Sequence, residues 1–247
     1  MTFPVLLRLG SLTVHPHWLF ETLAYTLAGY IYTRDRRRKG DVVSRQVRWW
    51  VIGAAALGGF VGSRLLSLVE DPLELQRHWS EPAYLAGGKT IVGGLIGGLM
   101  AVEWIKRRLS VEVATGDLLA VPLIVGIAVG RIGCFLSGLA DRTYGVATRL
   151  PWGVDFGDGV ARHPTQLYEV VFLAALGALL LASGSRLPLG DRFKAFMISY
   201  LAFRLAIDFI KPAVRIGGLS TIQWAALAAL AYYTPHAPRV FAGIRHG

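Results

Sequence analysis

Three arginines, Arg64, Arg131 and Arg204, fall inside long apolar runs of this chain. An arginine at the centre of a membrane span costs about 2.5–3.5 kcal/mol on insertion scales. Three of them point to use. A guanidinium meets phosphate oxygens through a rigid planar fork and stays charged, so the chemistry on offer is the grip of a phosphate. The competing reading is an arginine that snorkels or packs. It has more force for Arg131, near the end of its run. It has less for Arg204, which is more central and has Asp208 four residues later on the same helix face. Glu169 also falls inside a run and needs a basic partner, one of these three arginines.

Two motifs carry these residues. Gly130-Arg131-Ile132-Gly133-Cys134-Phe135 closes one run. Its small residues let a helix or a ligand approach the backbone. Arg162-His163-Pro164-Thr165-Gln166-Leu167-Tyr168-Glu169 opens the next. Pro164 suits the first turn of a helix, so His163 stands just before it at a membrane surface. A glycine-rich stretch from Gly87 to Gly98 is no phosphate loop: the order of Gly, Lys and Thr is wrong, and no strand precedes it. Close packing of helices through small faces is the competing account of it.

Composition supplies the elements that must position these groups. The chain has 247 residues, 53% hydrophobic, with a mean hydropathy of +0.47 and 17% charged residues. Soluble domains carry about 25% charge. A disordered chain, a coiled coil and a disulfide scaffold are excluded. Apolar runs long enough for a bilayer predict an all-α integral membrane protein with about seven transmembrane helices. They cover 17–33, 47–69, 90–105, 115–136, 166–183, 193–210 and 219–233. The runs do not alternate with period two, which argues against a β-barrel. Residues 1–247 read as a single membrane domain. No signal peptide is expected, because Arg8 and Pro16 break the first apolar stretch.

Placing the N-terminus outside and the C-terminus in the cytoplasm puts fifteen Lys and Arg on the inner side and eight on the outer. Positive charge gathers inside, so this orientation is expected, with outer loops at 70–89 and 137–164. The same rule explains the net charge of +10 without a nucleic-acid partner. The single cysteine, Cys134, allows no internal disulfide and no all-cysteine metal site, and reads as a small packing residue.

With His17-Trp18, Gly62-Ser63-Arg64 and the glycine-rich third helix as further anchors, the GRIGCF and RHPTQLYE motifs resemble the bacterial prolipoprotein diacylglyceryl transferase family. Weaker support comes from Tyr200 and from Phe203-Arg204 with Asp208. The resemblance implies a multi-pass enzyme of the bacterial plasma (inner) membrane. It would move a diacylglyceryl group from phosphatidylglycerol to the lipobox cysteine thiol of a preprolipoprotein signal peptide, forming a thioether and releasing glycerol-1-phosphate. Its partners would be those two substrates and the surrounding membrane lipids. A monomer is expected, with no cofactor and no metal. Arg131, Arg64 and Arg204 would hold the phosphate, with Tyr168 and Glu169 beside them. Arg131 and Arg204 would also act in catalysis as charge grows on the leaving oxygen. His163 is the remaining histidine in a family motif and the candidate acceptor of the thiol proton. Alternatively it only starts a helix, and local positive charge releases the proton to water. Tyr25, Tyr144, Trp152 and Tyr168 line an opening to lipid or form an aromatic belt.

The chain departs from the family at defined places. Val92 stands where a histidine usually precedes the paired glycines of the third helix. Cys134 and Ser137 stand at two usual asparagines, and Leu139 or Asp141 at a usual glutamate. These departures mark a divergent branch. They leave open a paralogue that uses or binds phosphatidylglycerol with another acceptor or without catalysis. A transporter is not supported, for the halves show no inverted repeat of broken helices.

Overall fold

Helix starts along the chain follow from local chemistry. Ser44, Thr90 and Ser220 each accept a hydrogen bond from a first-turn backbone N–H of the helix they precede. Such caps satisfy donors that a helix leaves unpaired. At Ser220 the bond is reciprocal, because the Gln223 side chain accepts from the Ser220 N–H. Basic residues fill the last turns of the first and fifth helices, where the helix dipole favours them.

The computed structural model describes residues 3–9, 12–183 and 187–245. Among these, ten α-helices run in order: α1 (Pro16–Lys39), α2 (Arg45–Leu68), α3 (Pro72–His78), α4 (Pro82–Ala86), α5 (Ile91–Arg108), α6 (Asp117–Ser137), α7 (Thr165–Ala182), α8 (Asp191–Ile207), α9 (Thr221–Tyr233) and α10 (Ala237–Arg245). Short 3₁₀ turns follow α6 (Gly138–Asp141) and α8 (Asp208–Ile210). Six of the seven longest α-helices match apolar runs to within about three residues at each end, and α1 continues through the basic segment to Lys39, beyond its run of 17–33. Three helical segments, Arg45–Leu68, Asp117–Asp141 and Thr165–Ala182, are long and apolar enough to cross a membrane. Arg186, one of the fifteen charges assigned to the inner side, lies outside the described residues.

The all-α expectation misses three antiparallel ribbons. They are β1 (Leu7–Leu9) with β2 (Leu12–Val14), β3 (Val154–Asp155) with β4 (Ala161–Arg162), and β5 (Arg215–Ile216) with β6 (Leu219–Ser220). Each strand is two or three residues long, too short to leave a periodic signal in the sequence. The segment 70–89, read as a loop, holds α3 and α4.

The buried apolar core lies among α6, α7, α8 and α9, with Leu173, Leu180, Phe196, Met197 and Leu201 at its centre. Val92 of α5 packs into the same core. The glycine-rich stretch serves helix packing. A Cβ on Gly97 of α5 would lie 2.3 Å from the Gly58 carbonyl oxygen of α2, and one on Gly62 would lie 2.4 Å from that of Gly93. Only glycine permits this approach, the small-face packing seen between membrane helices.

Candidate active site

Three core helices each bring one long polar side chain to a common point. Arg131 comes from the last third of α6, Glu169 from the second turn of α7 and Arg204 from the last turn of α8. All three are nine-tenths or more buried. Arg131 Nε lies 2.9 Å from Glu169 Oε2. Arg204 Nη1 donates to the same oxygen at 3.2 Å. Tyr200 donates its hydroxyl to Glu169 Oε1 at 2.6 Å. Arg204 Nη2 stands 3.6 Å from Asp208 Oδ1. Tyr200, Arg204 and Asp208 recur every four residues, so the helix and its 3₁₀ extension present them on one side. The Ser220 hydroxyl donates to Asp208 Oδ2, which ties the start of α9 to the group.

The partner expected for Glu169 is thus two of the three span arginines. Each keeps donors in reserve. Arg131 Nε faces Glu169 without the alignment of a hydrogen bond, and Arg204 Nε has no hydrogen-bond partner within the protein. Gln166, one turn before Glu169 and fully buried, directs neither its amide oxygen nor its nitrogen to a protein partner. Buried polar groups are normally paired, so this concentration leaves donors and an acceptor free for polar atoms from outside the protein. Gln166 belongs to the RHPTQLYE motif but carries no expected role there. Its signal was available: it lies three residues before Glu169, on the same helix face.

Two half-buried ionisable groups flank this cluster outside the helices. Burial pushes Glu70 up to about 7; Arg204 and Lys211 oppose the shift and Asp208 adds to it. Burial likewise brings Lys211 down to about 7, with Arg204 and Arg131 assisting and Glu169 and Asp208 opposing. Neither group stood out in the sequence, because nothing there indicates that the ends of α2 and α8 converge.

The other site residues read from the sequence lie around this centre in separate groups. His163 Nδ1 is 3.1 Å from Tyr168 Oη, which also accepts from Trp152 Nε1 at 2.8 Å. The imidazole is held by one nitrogen, leaving Nε2 for other contacts. Its backbone is fixed too, pairing with Val146 and Gly145. Arg64 has different neighbours: Nη1 donates to the Gly88 carbonyl, and the guanidinium lies over the Phe60 ring at 5.4 Å. None of its polar contacts among the described residues is to Glu169. A cavity of about 530 Å³, lined by Val51, Leu95, Glu103, Lys106, Phe193 and Tyr233 among others, shares no residue with the arginine cluster. The cavity's lining includes Glu103, Lys106, Glu112 and Lys194 but no arginine, whereas the cluster converges two guanidiniums, so the cluster is the better candidate for phosphate chemistry.

The chain matches the family model described as prolipoprotein diacylglyceryl transferase over residues 4–234. It is similar to the phosphatidylglycerol–prolipoprotein diacylglyceryl transferase of Geobacter sulfurreducens, 32% identical over 231 residues, covering 88% of this chain and 85% of the relative. The protein of the same name from Bordetella bronchiseptica is 31% identical over 247 residues, covering 90% of this chain and 88% of the relative. That of Glaesserella parasuis is 29% identical over 222 residues, with 84% and 79% covered.

Proposed function

We infer function from family and geometry together: the chain belongs to the prolipoprotein diacylglyceryl transferase family and is a transferase. Its substrates are phosphatidylglycerol and the lipobox cysteine of a preprolipoprotein. The observation that carries this reading is the convergence of Arg131 and Arg204 on one oxygen of Glu169. Two guanidiniums fixed by one carboxylate are pre-set to receive a phosphate, whose oxygens accept the donors that Glu169 leaves free.

The thiol sulfur attacks the glyceryl carbon that carries the phosphate. The new carbon–sulfur bond forms as the carbon–oxygen bond breaks, and glycerol-1-phosphate leaves with the bonding pair. Arg131 and Arg204 offset the charge that grows on the leaving oxygen. The thiol gives up its proton before or during attack, since the thiolate is the nucleophile. His163 Nε2 is the acceptor in this account, with Nδ1 anchored by Tyr168. Arg64 meets the lipid from α2. The seven long helices span the bacterial inner membrane as one unit, as a monomer, with the N-terminus and the 137–164 loop outside and the C-terminus in the cytoplasm.

A second reading has one observation in its favour. Val92, at the usual histidine position, is fully buried in apolar surroundings and supplies no proton acceptor. A paralogue with another acceptor, or one that binds the lipid without catalysis, would tolerate that. Complementation separates the two. Expression in a strain depleted of its own transferase should restore growth and lipoprotein maturation. Failure to do so by a protein present in the membrane would favour the paralogue.

A further inference from the structure

A second polar group lies where the start of α1 meets the end of α6. Gly133 makes that meeting possible: a Cβ there would lie 2.5 Å from Cβ of Phe20, so glycine lets α1 press against the last turn of α6. Gly138, at φ +64°, then turns the chain so that Asp141 folds back beside Cys134. His17 Nδ1 stands 3.2 Å from Asp141 Oδ1. The donor atoms of His17, Cys134 and Asp141 all lie within 4.8 Å of one another. All three residues are partly exposed, so the point can be reached from solvent.

The surroundings of these atoms add a separate observation. The other ring nitrogen of His17, Nε2, is 3.6 Å from Glu21 Oε2. Glu21 is held by Lys89 Nζ at 2.7 Å and by the Tyr25 hydroxyl at 3.1 Å. The second oxygen of Asp141 accepts from the Thr143 hydroxyl at 2.5 Å. A carboxylate close to the far nitrogen of His17, at 3.6 Å and within one small shift of a hydrogen bond, and a carboxylate ligand with its free oxygen fixed are the kind of outer groups that orient metal ligands. One imidazole, one thiolate and one carboxylate are zinc donors, and the thiolate disfavours magnesium and calcium.

We propose that His17, Cys134 and Asp141 bind one zinc ion through Nδ1, Sγ and a carboxylate oxygen, with the fourth position open. Binding forms a zinc–sulfur bond and releases the thiol proton to solvent. The site pins α1 to α6 one helical turn from Arg131. It is independent of the transferase reading, and it differs from the expectation of no metal.

Cobalt(II) reports on the site without any activity measurement. The purified chain in detergent, with any affinity tag removed, is titrated with cobalt chloride and then zinc chloride. One cobalt per chain with a thiolate-to-cobalt absorption band, displaced by zinc, is expected. Cys134→Ser should abolish the band, and Glu21→Gln should weaken zinc binding about 10–100-fold. Because Cys134→Ser could fail to fold, the unaltered protein supplies a second measurement. Cys134 is the single thiol in the sequence, and zinc should protect it from a maleimide. Cobalt bound without a thiolate band, or alkylation of Cys134 unchanged by zinc, would overturn the proposal. Either result leaves the transferase assignment untouched.

Discussion

Arg131 and Arg204 stand on different helices and meet at a single atom, Oε2 of Glu169, at 2.9 and 3.2 Å. Two like charges share a position that neither could hold alone in an apolar interior. The carboxylate keeps both forks in place, and Tyr200 on its other oxygen keeps the carboxylate in place. In the proposed reaction the phosphate is met by the arginine donors that Glu169 leaves free, and donors fixed in advance are the condition under which charge stabilisation is strongest.

Arg131→Ala should lower turnover by about 10²–10³-fold, as loss of one preorganised donor does. Arg131→Lys keeps the charge without the planar fork and should recover only weak activity. The protein should still insert and fold, because Glu169 retains Arg204 and Tyr200. Membrane abundance and specific activity of the same Ala variant check this. Full specific activity in well-folded protein would remove Arg131 from phosphate binding.

Glu70 and Lys211 should give the proposed lipid binding a pH dependence with a defined sign. As pH rises through about 7, Lys211 loses its positive charge and Glu70 gains a negative one. Both changes oppose an anionic phosphate beside Arg131, Arg204, Glu169 and Asp208. A charge-assisted contact is worth about 1.5–3 kcal/mol. KM for phosphatidylglycerol should therefore rise roughly tenfold or more between about pH 6 and 8. Glu70→Gln with Lys211→Arg fixes both charges and should flatten the profile. A KM that falls with pH would contradict the placement of these groups.

His163→Gln tests the proton acceptor. Loss of a general base costs about a hundredfold or more. If His163 only orders the segment through Tyr168, the change should be a few-fold at most. Turnover of the Gln variant with labelled phosphatidylglycerol distinguishes the two.

Topology is testable with the native thiol replaced. On a Cys134→Ala background, Ala147→Cys should react with an impermeant reagent added outside whole cells, and Lys39→Cys should not. Both positions are exposed. The opposite pattern would reverse the orientation.

Helices were legible in this sequence because apolar runs of bilayer length admit few other structures. Glu169 was legible as a buried acid in need of a base. That its partner is a pair of arginines was not, because this depends on how α6, α7 and α8 are rotated about their axes. Tyr200 could have been placed from its spacing to Arg204 and Asp208. Glu70, Lys211 and the meeting of His17 with Asp141 could not: each joins segments far apart in sequence through loops with no periodic pattern. The ribbon β3–β4 was invisible because strands of two residues leave no periodic pattern.

Transfer by the purified protein is the direct test of the proposed activity. The chain in detergent is given phosphatidylglycerol and a synthetic lipobox peptide. The account predicts a peptide whose mass rises by one diacylglyceryl group on its cysteine, with an equal amount of glycerol-1-phosphate released. A folded, lipid-binding protein that leaves the peptide unmodified and releases no glycerol-1-phosphate would contradict it.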